Sequence, residues 1–149
     1  MTDLAAPGRL PAGATVEGDG VMIGHGPVRI DVFIDFLCPF CRQFELSSAP
    51  ALADLVAGGE VSLVYHPMNF LDEASTTNYS TRATAASGCA ADEGRFVAYA
   101  HALFVNQPPE GGPGLSDAEL AALGPRWGWP ARRSPRACLA GHIWTGHPM

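Results

Sequence analysis

Two cysteines stand three positions apart in the segment Cys38-Pro39-Phe40-Cys41. A pair at that spacing can close into a disulfide and reopen, can hold a metal, or can serve as an inert staple. At the start of a helix the first of the two meets unpaired backbone N–H groups and the positive end of the helix dipole, which favour a thiolate. Free cysteine titrates near ~8.5, and Cys-x-x-Cys pairs at helix N-termini fall to between roughly 3.5 and 7.5, so Cys38 is expected to be largely ionised at neutral pH. The chemistry open to such a pair is thiol–disulfide exchange. Cys38 would attack a disulfide, and Cys41, one turn further in, would resolve the mixed disulfide; in the oxidised form electrons would flow the other way. Pro39 removes an N–H that would otherwise donate to the sulfur, and Phe40 brings no charge, so nothing here predicts an extreme potential.

The elements around the pair agree with a helix start. Val28 to Leu37 is rich in β-branched and aromatic residues on both faces, which predicts a central strand of a covered sheet. Pro39 suits the first helical position, and Phe40, Phe44, Ala51, Leu52 and Leu55 then share one face at three- to four-residue spacing. Pro50 is expected to kink this helix without ending it, since the apolar face continues to Gly58-Gly59. Val61 to Tyr65 alternates with period two and predicts a second strand. Strand, helix and strand in that order form a βαβ unit with parallel strands, and the fold class is α/β. Val21 to Gly24 suits a short edge strand before it.

From Asp72 to about Trp127 the period becomes helical. Ser75, Thr76 and Thr77 offer N-caps to a helix carrying Tyr79, Ala83, Ala86 and Cys89, and Phe96 to Phe104 marks a second helix. A capping box, Ser116-x-x-Glu119, opens a third. Residues 1–20, rich in Gly, Pro and Ala, read as a flexible lead-in, residues 21–128 as one domain with a helical insertion at about 72–128, and residues 129–149 as an unassigned tail.

Other residues with chemistry are fewer. Asp35, three positions before Cys38, is either a buried proton acceptor for Cys41 during resolution or a solvated strand-end carboxylate. Asp31 and Asp35 share a face by the period-two rule, which is odd for a fully buried strand. His66 and His101 read as ordinary surface or core residues. A metal would need ligands beyond the pair, and only Cys138 with His142 offers them, so a zinc site of Cys38, Cys41, Cys138 and His142 is an alternative.

Composition bounds the rest. With 149 residues, 47% apolar and 16% charged, the chain suits a single globular domain. All nine basic residues are arginine, and a net charge of −6 argues against a nucleic-acid partner. Neither a basic and apolar leader nor an eighteen-residue apolar run is present, so the expectation is a cytoplasmic protein with no membrane span. In that compartment a Cys-x-x-Cys is more often catalytic, sensing or metal-binding than structural.

The segment Ile30 to Cys41, ending in Cys-Pro-Phe-Cys, resembles the active-site strand and helix start of the DsbA-like thioredoxin-fold proteins. The likeness spans roughly residues 21–128, including a helical insertion with Phe96 to Phe104 similar to one of its helices. It implies a thioredoxin-like core, disulfide exchange with protein or peptide thiols and an unidentified redox partner, with Cys38 and Cys41 as the active pair and no bound cofactor. Family members carry a cis-proline loop, a hairpin and a final helix after the insertion. Here only Thr145-Gly146-His147-Pro148 resembles that loop, and the C-terminal part of the fold is expected to be incomplete, leaving a sheet edge and face for another chain to cover. The resemblance leaves Cys89 and Cys138 as either a second disulfide, as in some relatives, or two separate thiols. Beside the oxidoreductase stand two alternatives: a redox-sensing or binding module on the same fold, and a small zinc-binding domain.

Overall fold

The β-branched run before the cysteines and the alternating run after the helix become neighbouring strands. The structure, a computed structural model, describes residues 10–126. In chain order its elements are β1 (Val21–Ile23), β2 (Val28–Ile34), α1 (Pro39–Ala57), β3 (Val61–Pro67), α2 (Tyr79–Asp92), α3 (Phe96–Val105) and α4 (Asp117–Arg126), with a single turn of 3-10 helix at Asp72–Ala74. β2 and β3 are parallel, in register from Val28 beside Val61 to Ile34 beside Pro67. β1 pairs antiparallel with β3 on its other side, giving the order β1-β3-β2. Gly26 lets the chain pass from β1 to β2, because a side chain there would run into the backbone of Val61.

The strand order corrects one expectation. Among the described residues β3, not β2, lies between two partners, and all seven of its residues are buried, whereas in β2 only Ile34 is. Among the described residues β2 hydrogen-bonds to β3 alone, so its outward residues stay open and Phe33 is 52% exposed. The two faces of β3 are covered by different things. Leu63 and Tyr65 join the core with α2 and α3, where Tyr65 meets Phe96 at 5.4 Å between ring centroids.

On the other side His66 lies against residues 10–20. That segment, expected as a loose lead-in, is held by backbone bonds from Thr15 to Gly20 and from Met22 to Gly13, both 2.9 Å, and its Thr15 is buried. The His66 ring stacks on Phe33 and meets the Asp19 carbonyl at 3.0 Å and an Asp31 carboxylate oxygen at 2.7 Å.

α1 runs unbroken through Pro50 and stops at Gly58-Gly59, where Gly59 takes a φ of +74°. Its inward face differs from the expected one. Cys41, Leu52 and Val56 pack on the core, while Phe40 is 77% exposed on the first turn. The helices of the insertion form much of the core, with Tyr79, Ala83, Tyr99, Leu103, Phe104 and Leu120 almost fully buried. The N-cap of α2 is Asn78, in left-handed backbone at φ +51°, rather than one of the expected Ser75, Thr76 and Thr77; the Ser75 hydroxyl, from further upstream, accepts the Tyr79 N–H at 2.8 Å. The capping box at α4 forms in both directions, Glu119 N–H to the Ser116 hydroxyl and Ser116 N–H to the Glu119 carboxylate.

Candidate active site

β2 ends at Ile34, and the three residues that follow turn the chain from strand into helix. Asp35 makes that turn. Its carbonyl accepts the Cys38 N–H at 3.0 Å, and its carboxylate accepts the Leu37 N–H at 2.9 Å, the Ser80 hydroxyl at 2.7 Å and the Leu71 N–H at 3.0 Å. Asp35 is 1% exposed, which removes the solvated strand-end reading, and it lies past the strand end rather than in line with Asp31. Asp31 stays at the surface of β2, where Arg29 and His66 both donate to it and hold its carboxyl below the usual range.

Cys38 occupies the N-cap of α1, with extended backbone at φ −78° and ψ 120°, and Pro39 follows as the first helical residue. Both cysteines are free and partly exposed. Burial is the main force that pushes the Cys41 thiol up to about 11; a hydrogen bond from the Asp35 backbone pulls the other way, and a hydrogen bond to Cys38 with the charges of Cys38 and Asp35 adds to the rise. At neutral pH Cys41 therefore keeps its proton. The two thiols, identical in sequence terms, are separated chemically by one turn of helix.

The end of α3 closes the site from the side. Gln107 donates through Nε2 to the carbonyls of Phe36 and Cys38, 3.0 Å each, and Arg42 donates through Nε to the Phe104 carbonyl at 3.0 Å. Neither Gln107 nor Ser80 stands out by residue type or spacing. A signal exists only in the fold, which carries them across 69 and 45 positions to the turn. One turn beyond Cys41, Glu45 is 3% exposed, with one carboxylate oxygen 3.6 Å from His101 and the other without a hydrogen-bond partner. His66 and His101, read as ordinary residues, are thus both engaged with carboxylates.

Among the described residues no cluster of three or more His, Cys, Asp or Glu side chains is arranged to hold a metal ion, and Cys138 and His142 of the zinc alternative lie outside them. Cys89 is disulfide-bonded and fully buried. Cys138, its partner in the second-disulfide alternative, lies outside the described residues, as does the Thr145-Gly146-His147-Pro148 segment.

A thioredoxin family model, described as Thioredoxin, matches residues 17–131, which takes in every element described above and the cysteine pair. The chain belongs to the thioredoxin family. Within that family, the solved structure of oxidised DsbA from Mycobacterium tuberculosis is 32% identical with a TM-score of 0.73, over 82% of this chain and 69% of that one. The reduced form of the disulfide bond oxidoreductase DsbG from the same organism is 32% identical with a TM-score of 0.72, over 83% of this chain and 66% of that one. The thioredoxin-like fold and the DsbA resemblance read from the Cys-Pro-Phe-Cys segment are therefore borne out. A stretch of 117 residues is also 41% identical to the serine/threonine-protein kinase PknE of Mycobacterium tuberculosis, covering 72% of this chain and 21% of the kinase. What the two share is that fifth of the kinase. No helix among the described residues is long and apolar enough to cross a membrane.

Proposed function

We propose that this thioredoxin-family domain exchanges disulfides with protein or peptide thiols, with Cys38 as nucleophile and Cys41 as resolving thiol. The observation that carries the reading is the asymmetry of the pair: Cys38 caps the helix N-terminus, and Cys41 sits half-buried with its thiol pushed up to about 11. The Cys38 thiolate attacks one sulfur of a substrate disulfide, forming the Cys38 mixed disulfide and releasing the other substrate sulfur as a thiolate. Cys41 then gives up its proton and attacks the Cys38 sulfur, releasing the second substrate thiolate. The protein ends as the Cys38–Cys41 disulfide, and two electrons have passed to the substrate. The oxidised protein runs the same steps backwards on a dithiol. The names of the DsbA and DsbG structures support disulfide chemistry, and this chain supplies the free cysteine pair for it.

Incubation of the reduced full chain with a peptide disulfide, followed by mass spectrometry, tests the assignment. Cys41→Ser should accumulate the mixed disulfide on Cys38, and Cys38→Ser should trap nothing at neutral pH. Trapping on Cys41 in the Cys38→Ser variant at a comparable rate would reverse the roles. Absence of trapping in both variants would leave the fold without the proposed activity.

A further inference from the structure

We propose that Gln107 is a positioning residue for the nucleophile, holding from the end of α3 the strand-to-helix turn that presents Cys38. The proposal rests on the exchange reading above. A glutamine amide has two N–H bonds to give, and Gln107 directs its Nε2 at two carbonyls of this one turn, those of Phe36 and Cys38, at 3.0 Å each. Phe36 is fully buried, so its carbonyl is shielded from water and depends on protein donors. The Cys38 carbonyl also accepts the first helical bond, from the Arg42 N–H at 3.1 Å, so the amide acts at the residue where the helix begins.

The contact is reciprocal, which makes it a fixed mount rather than a chance touch. Arg42 donates back to the Phe104 carbonyl at the end of α3, and the Gln107 backbone N–H is tied to that same carbonyl at 3.2 Å. The amide therefore reaches the turn from an anchored backbone. A thiolate at a helix start is favoured only while its sulfur stays aligned with the free N–H groups and the dipole. That alignment is set by the extended N-cap geometry of Cys38, and the two carbonyls gripped by Gln107 lie on either side of it. Without the amide, the turn keeps its helix bond and its Asp35 bonds but loses the tie from the α3 side.

The test compares full-length chains: native, Gln107→Ala, Gln107→Glu and Asn106→Ala. Asn106 is the control, since its amide donates to the Ala102 carbonyl at 2.8 Å, at the same end of α3 but away from the turn. Alkylation of Cys38 by iodoacetamide is followed against pH by peptide mass spectrometry, with the thermal midpoint measured in parallel. Gln107→Ala should move the pH of half-maximal rate upwards by about half to one unit, slowing alkylation roughly three- to tenfold at pH values below that midpoint and little where Cys38 is already ionised. Gln107→Glu, of equal size but facing two carbonyls with a carboxylate, should move it further, and it keeps the test alive if the alanine variant does not fold. Asn106→Ala should lower the thermal midpoint alone. A pH profile unmoved in both Gln107 variants, or moved equally by Asn106→Ala, overturns the proposal while leaving the exchange reading in place. A native Cys38 that titrates like a free thiol also overturns the proposal, whereas absence of mixed-disulfide trapping overturns the exchange reading.

Discussion

Two carboxylates flank the cysteine pair at nearly equal depth, and they are treated in opposite ways. Asp35, before the pair, is 1% exposed with three donors on its carboxylate; Glu45, after it, is 3% exposed with one oxygen left without a hydrogen bond. Asp35 sits at the strand-to-helix turn, where the Leu37 N–H after β2, the Leu71 N–H after β3 and the Ser80 hydroxyl of α2 converge. Glu45 sits on the second turn of α1, where the backbone has spent its donors on the helix itself. Depth alone therefore does not define a buried acid. What matters is whether the local backbone has donors to spare, and only the turn does.

The strongest test of that contrast is Asp35→Ala, which strands the Leu37 and Leu71 amides and the Ser80 hydroxyl at once. Each buried donor left without an acceptor costs about 1–3 kcal/mol, and relaxation recovers part, so a loss of about 3–5 kcal/mol is expected. Urea unfolding should show a lower midpoint at unchanged slope. A loss below about 1 kcal/mol would mean that water or rearranged backbone replaces the carboxylate, and the contrast with Glu45 would collapse. Ser80→Ala sharpens the same point by removing a single donor at 2.7 Å, with an expected cost of about 1.5 kcal/mol.

The difference between the two acids also marks what could be read in advance. The Cys38/Cys41 pair, the βαβ unit and the Ser116/Glu119 capping box are local patterns, and all three stand in the structure. Long-range relations were not legible. Which strand is central depends on the order β1-β3-β2, and no period in Val28 to Leu37 encodes that β2 pairs on one side only among the described residues. Phe40 matches the apolar spacing of α1, yet it is exposed on the first turn, beside β2 rather than under the insertion. Asp35 is legible as an acid near the pair, but its burial follows from Leu71 and Ser80, which the insertion brings back to the turn. For Glu45 the pattern is misleading in the other direction, since a charged residue in an amphipathic helix ordinarily faces water.

The smallest expected effect is the most diagnostic for Glu45, because its sign depends on pH. Burial raises the Glu45 carboxyl above its usual value, and His101 only partly opposes the rise. Below the unfolded value, near ~4.3, both states hold the proton and the group costs nothing in charge. As pH rises past that point the unfolded chain releases its proton first, so the folded state loses stability until Glu45 ionises as well, and the deficit stays constant above. Glu45→Gln keeps the shape and has no proton to lose. It should match the native protein at about pH 3.5 and exceed it by about 1 kcal/mol at about pH 8, the order of cost of one unsatisfied buried acceptor. Thermal unfolding at the two pH values measures the difference. A variant less stable than the native protein at about pH 8, yet equal to it at about pH 3.5, would show that the His101 pairing outweighs burial, and that Glu45 is as well provided for as Asp35.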